Sequence, residues 1–125
     1  MNIDKGCIQQ VLGCLVQHPQ YLSEVDKYSF VLTDFPTRFE KYIYSAISGL
    51  YQNGAPKIQV IDIENYLSSN EVAKKVFDQQ NGIEYLQDII EFAEVENFPY
   101  YYNKFKKLNL LKDLQKSGFD ISDFY

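Results

Sequence analysis

The stretch TDFPTRFEKYIYSAISGLYQNG, Thr33–Gly54, decides the fold. Phe39, Ile43, Ala46, Ile47 and Leu50 recur at the spacing of one helical face, and Gly54 supplies the C-terminal stop. Working toward the N-terminus, Ile8, Val11, Leu12 and Leu15 follow the i, i+3, i+4, i+7 pattern of a second buried face. That helix should stop near His18, because Pro19 disfavours helical geometry in the residue before it. A short helix over Tyr21–Tyr28 is expected next, with Pro19 near its first turn.

Working toward the C-terminus, PKIQVIDIENYL leads into a short helix around Asp62–Leu67, and SSNEVAKKVFDQQNG reads as a short helix or a loop. GIEYLQDIIEFAEVE is helical, with Ile83, Leu86, Ile90 and Ala93 inward. Asn97 suits the cap of a last helix, Pro99 is tolerated in its first turn, and Gly118 ends it. KIQVIDI is the one candidate strand, and it is isolated. The class is all-α, in a single domain without repeats or a flexible linker. Residues 1–96 form a small helical head, 97–117 a long helix, and 118–125 a turn or the start of a linker.

A chain of 125 residues fits one domain with a core of its own. Its 46% hydrophobic and 23% charged residues are a globular composition. No apolar run approaches the roughly 18–20 residues of a membrane span, and MNIDKG places an acid where a signal peptide carries basic residues. The expectation is a soluble, cytoplasmic protein without membrane contact. The net charge of −5 is unevenly spread. Residues 1–96 carry 7 Lys/Arg against 14 Asp/Glu, whereas residues 97–117 carry five lysines against Asp113 alone. An acidic body is a poor surface for DNA, whose phosphates dominate non-specific affinity, so only the last helix is placed to touch it.

Chemistry-bearing motifs are scarce. There is no G-x-x-x-x-G-K-[ST] or G-x-G-x-x-G segment to cradle phosphates. Cys7 and Cys14 are seven residues apart in one helical pattern. That is about 10.5 Å along a helix axis, too far for a disulfide, and they read as small buried hydrophobes. With His18 the only histidine, a zinc set is not assembled, and a Cys–His nucleophile has no further support. Asp62 with Glu64, and Glu91 with Glu94 and Glu96, are conceivable acid/base or magnesium sites. A solvated helix face accounts for them better. No catalytic, metal or cofactor residues are therefore assigned, and no enzyme activity is expected of this chain.

Several segments, in order, resemble the N-terminal domain of DnaB-type replicative DNA helicases. They are VLGCLVQHPQYLSEV, DFPTRFEKYIYSAISGLYQNGAPKIQVIDI, NGIEYLQDII with its Gly-x-x-Tyr-Leu, and NFPYYYNKFKKLNLLK with its Asn-x-x-x-Tyr start. The resemblance spans roughly residues 6–117. Ile8, Gln9 and Gln10 replace the acidic residues common before Val-Leu-Gly, and Glu40 stands where a histidine is frequent, which suggests a divergent phage, plasmid or mobile-element member.

The resemblance implies a helical collar domain, with the ATP- and Mg-dependent motor elsewhere. Such a domain consists of a head and a helical hairpin, and hairpins of neighbouring subunits pack so that six domains form a ring of three dimers. Its expected partners are other copies of itself and a primase or helicase loader. The helix from Asn97 would be the first hairpin arm and SGFDISDFY its turn. Tyr101, Phe105, Leu108 and Leu111 fall on one stripe of that helix, flanked by Tyr102 and Leu114, and these six are the expected subunit or partner interface, the alternative being that part of the stripe is plain core packed against the helix of Gly82–Ala93. Lys104, Lys106, Lys107 and Lys112 would be its solvated flank, with weak or no DNA contact. Alternatives are the related helicase-binding C-terminal domain of primase, against which an early Met1 argues, and a small helical DNA-binding regulator.

Overall fold

The structure, a computed structural model, describes residues 5–116 and 118, with the backbone alone at Lys5. Among the described residues six α-helices run in order: α1 Lys5–Gln17, α2 Arg38–Gln52, α3 Val60–Ser68, α4 Glu71–Gln79, α5 Gly82–Phe92 and α6 Phe98–Lys116. Short 3₁₀ turns sit at Pro19–Ser23, Leu32–Asp34 and Val95–Asn97. Among the described residues there is no strand, so KIQVIDI supplies the linker and first turn of α3. The expected helix over Tyr21–Tyr28 is only the 3₁₀ turn and an irregular loop. The turn expected over 118–125 lies outside the described residues except for Gly118, whose φ of +92° fits a helix stop.

Local chemistry accounts for the helix boundaries. Thr37 and Glu40 form a capping box: Glu40 N–H donates to Thr37 Oγ1 at 3.3 Å, and Thr37 N–H donates to Glu40 Oε1 at 3.1 Å. Gly54 takes φ +88° after the last turn of α2. Asn70 explains why the segment read as "short helix or loop" is helical. Its Oδ1 accepts from the Val72 and Ala73 N–H groups at 3.0 and 3.1 Å, satisfying two donors that have no intrahelical acceptor.

α1 is the centre of the molecule and packs against α5 and α6, with α2 completing its surroundings. Cys7, Ile8, Val11, Leu12, Cys14, Leu15 and Val16 are all buried, so α1 is covered on nearly every side. Gly13 permits the closest approach of α5: a Cβ there would lie 2.4 Å from Ile89 O and 2.8 Å from Ala93 Cβ. Buried Gln10 ties the same two helices. Its Nε2 donates to Phe92 O at 3.2 Å, and its Oε1 accepts from Glu94 N–H at 2.9 Å. A carbonyl at the end of α5 thereby gains the partner that the helix itself cannot provide. Phe35, Ile43, Ile47, Ile63, Phe77, Leu86 and Ile89 complete the apolar centre.

Candidate interaction surface

α6 has two halves with different surroundings. Phe98 is fully buried, its ring stacked on Tyr21 at 4.1 Å and edge-on to Tyr28 at 4.9 Å. One turn on, the Tyr102 hydroxyl accepts from Ser29 N–H at 2.9 Å and donates to Ser29 O at 3.3 Å. Phe105 is 2% exposed and sits 5.3 Å from Phe35 and 6.3 Å from Phe30, ring centre to ring centre. Lys106 then closes the series with a 2.9 Å ion pair to Asp34, whose same oxygen accepts from Val31 N–H. Two turns and more of α6 are thus locked to the loop between the Pro19–Ser23 turn and α2. The lock works through rings, a two-way hydroxyl and one ion pair.

Beyond Lys106 the helix changes character. Leu108 and Leu114 are half-buried, Leu111 is buried, and Leu110 is 59% exposed. None of the four joins the head's core cluster. The rotation of a helix explains this: with about 100° per residue, Phe98, Tyr102 and Phe105 share the head-facing side, whereas Leu108, Leu111 and Leu114 drift progressively off it.

The six expected interface residues therefore separate. Tyr102 and Phe105 lie inside the chain's own core, and Tyr101 packs half-buried against it with its carbonyl accepting from the Cys7 thiol at 3.1 Å. Tyr102, Phe105 and Leu111 are buried within the chain itself, and a side chain already covered has little surface left to bury elsewhere. Leu108, Leu111 and Leu114 are the ones outside the core cluster, and the exposed Leu110 was missed. It falls off the heptad-like stripe, and only its exposure identifies it. Among the lysines, Lys106 is engaged by Asp34 and is no freely solvated flank, while Lys104 and Lys107 are exposed.

The residues weighed for chemistry are accounted for. Cys14 is completely buried while His18 is exposed, and burial, aided by Glu96 and Glu94, pushes the Cys14 thiol up to about 12. A thiol held protonated in this way is no nucleophile. Cys7 and Cys14 are both buried and not disulfide-bonded. Asp62 caps α3, accepting from Gln59 N–H at 2.9 Å, and Glu64 faces Lys74 at 3.7 Å. Among the described residues no three His, Cys, Asp or Glu side chains gather as metal ligands do. Among the described residues no helix is long and apolar enough to cross a membrane.

Comparison with known proteins agrees with this architecture. The DnaB-like helicase N terminal domain matches residues 7–107. A Bacillus subtilis (strain 168) protein, described as an SPbeta prophage-derived uncharacterized protein, is 39% identical over 122 residues. That alignment covers 98% of this chain and 24% of the relative, so the chain spans about a quarter of that protein's length. No solved structure matches. The matched family describes a helicase N-terminal domain and not an ATPase motor, and the relative's prophage origin accords with a phage-type sequence. The chain belongs to the DnaB-like helicase N-terminal domain family.

Proposed function

We propose that this domain serves as the collar of a replicative helicase, holding subunits together through the distal half of α6 and offering its head to a primase or loader. The observation that carries the reading is the division of α6 at Lys106. The proximal half is anchored in the head, while Leu108, Leu110, Leu111 and Leu114 lie outside the core cluster. The exposed Leu110 and the half-buried Leu108 and Leu114, on a helix held at one end, are suited to packing against a second helix, with apolar burial contributing about 25 cal/mol per Å². The head residues would fix the helix direction, and the leucines would meet the other copy.

Light scattering coupled to size exclusion tests this on the 125-residue chain. Association that rises with concentration is expected, together with its loss in Leu110→Glu/Leu114→Glu at an unchanged melting temperature. A strictly monomeric wild-type chain, or a double variant that assembles as wild type does, overturns the reading.

A further inference from the structure

A cleft of about 300 Å³ lies where the N-terminus of α2 meets α1, α5 and the end of α4. Gln9, Pro36, Phe39, Glu40, Gln80 and Tyr85 line it. Ligand sites run from roughly 300 to 1,000 Å³, so this one suits a group the size of a single side chain. Two of its polar groups have hydrogen-bonding capacity left over. Glu40 is 9% exposed, and its Oε1 accepts from Thr37 N–H at 3.1 Å and from the Thr37 hydroxyl at 2.7 Å. Its Oε2 has no partner among the described residues, and neither has the buried Tyr85 hydroxyl. Glu40 stands near enough to Tyr85 that its charge, second to burial, helps to hold the phenol above its usual range. The Phe39 and Tyr85 rings meet edge-on at 4.9 Å and form an aromatic wall. Among the described residues no Lys, Arg or His lines the cleft, and no cation pairs with Glu40.

We propose that this cleft is a binding site for a guanidinium group, with the Glu40 carboxylate as counter-ion and the Phe39 and Tyr85 rings as its wall. A carboxylate drawn out of water is stabilised by a cation and by filled lone pairs, and capping α2 uses only one of the two oxygens. A guanidinium brings several planar N–H donors and no acceptor, is weakly hydrated and packs on aromatic rings. Its donors match Glu40 Oε2, the phenol oxygen and the amide oxygens of Gln9 and Gln80. An ammonium group would lose more hydration for fewer contacts, and an anion would meet the Glu40 charge. The positive end of α2 opposes a cation, but Glu40, in the first turn of that helix, already offsets it. No residue of α6 is among those named as lining the cleft, so the site is independent of how copies of the chain associate.

Titration of the full chain with N-acetyl-arginine amide, followed by amide NMR, tests it. Saturable shifts at Glu40, Gln80 and Tyr85 are expected, with a dissociation constant on the order of 1 mM for so small a ligand. The citrulline analogue has the same shape without the charge and should bind about tenfold more weakly. Glu40→Gln keeps an oxygen to cap α2, so its melting temperature should hold while affinity falls by about tenfold. Tyr85→Phe keeps the ring and should weaken binding by about threefold. A capped Gly-Arg-Gly peptide that binds more tightly than free arginine assigns the site to an arginine of a polypeptide, and the reverse order assigns it to a free guanidinium compound; both support the proposal. Should Glu40→Gln lower the melting temperature, the difference between arginine and citrulline on the wild-type chain carries the test. Absence of saturable shifts at the cleft, equal binding of the citrulline analogue, or undiminished binding by a stable Glu40→Gln chain overturns the proposal.

Discussion

Replacing Phe105 by Ala, with Leu110→Ala beside it, separates core from partner surface on one helix. Phe105 is 2% exposed and contacts the rings of Phe35 and Phe30, so its removal leaves a ring-sized void in a packed aromatic layer. Truncations of this kind cost about 3–5 kcal/mol. The upper part of that range is expected because two ring–ring contacts, each worth about 0.5–1.5 kcal/mol beyond area burial, are lost as well. At about 2.1 cal/mol/K per residue, unfolding of this chain carries an entropy of about 0.26 kcal/mol/K, so the melting temperature should fall by about 15–19 °C. Leu110 is 59% exposed, and its truncation should change stability by no more than about 0.5 kcal/mol, or about 2 °C. Thermal unfolding by circular dichroism at two protein concentrations is the assay. The Phe105→Ala deficit should be the same at both concentrations, as befits a contact within one chain. A Phe105→Ala protein that melts within about 3 °C of wild type, or whose deficit disappears on dilution, refutes the division of α6 at Lys106.

Two further outcomes follow from single atoms. Gly13→Ala places a methyl group 2.4 Å from Ile89 O, where backbone must move, so α1 and α5 should separate at a cost of about 1–3 kcal/mol in urea denaturation; a neutral result would show that the two helices are not held this closely. The buried Tyr85 hydroxyl has no hydrogen-bond partner among the described residues, and burial, with Glu40 second, holds its phenol well above the usual range. Tyr85→Phe should therefore be neutral or stabilising by about 1 kcal/mol, and a clear loss of stability would mean the hydroxyl is in fact bonded in solution.

Much of the fold is legible in the residues because period and punctuation are local. Phe39, Ile43, Ala46 and Ile47 are buried as their spacing indicates, and Pro19, Gly54 and Gly118 mark ends where backbone geometry requires them. The loop around Tyr21–Tyr28 is the instructive departure. Its tyrosines are apolar enough to look like a helical face, yet Tyr21 and Tyr28 are recruited sideways onto Phe98, and tertiary ring contacts replace the helix. α1 departs in the other direction. Ile8, Val11, Leu12 and Leu15 mark one buried face, whereas Cys7, Cys14 and Val16 are buried too, because α5 and α6 pack on α1 as well as α2.

On its own, then, the amino-acid order determined an all-helical chain, the placement of most helices, and its likeness to a helicase N-terminal domain. These depend on hydrophobic period, on proline and glycine, and on the order of short motifs, all of which act within a few residues along the chain. Which side of α6 is occupied by the chain's own head was decided only in three dimensions. Tyr102 meets Ser29 and Lys106 meets Asp34 across more than seventy intervening residues, and no spacing rule reaches that far. Those two contacts set the rotation of the helix, and with it which side chains were left outside the core.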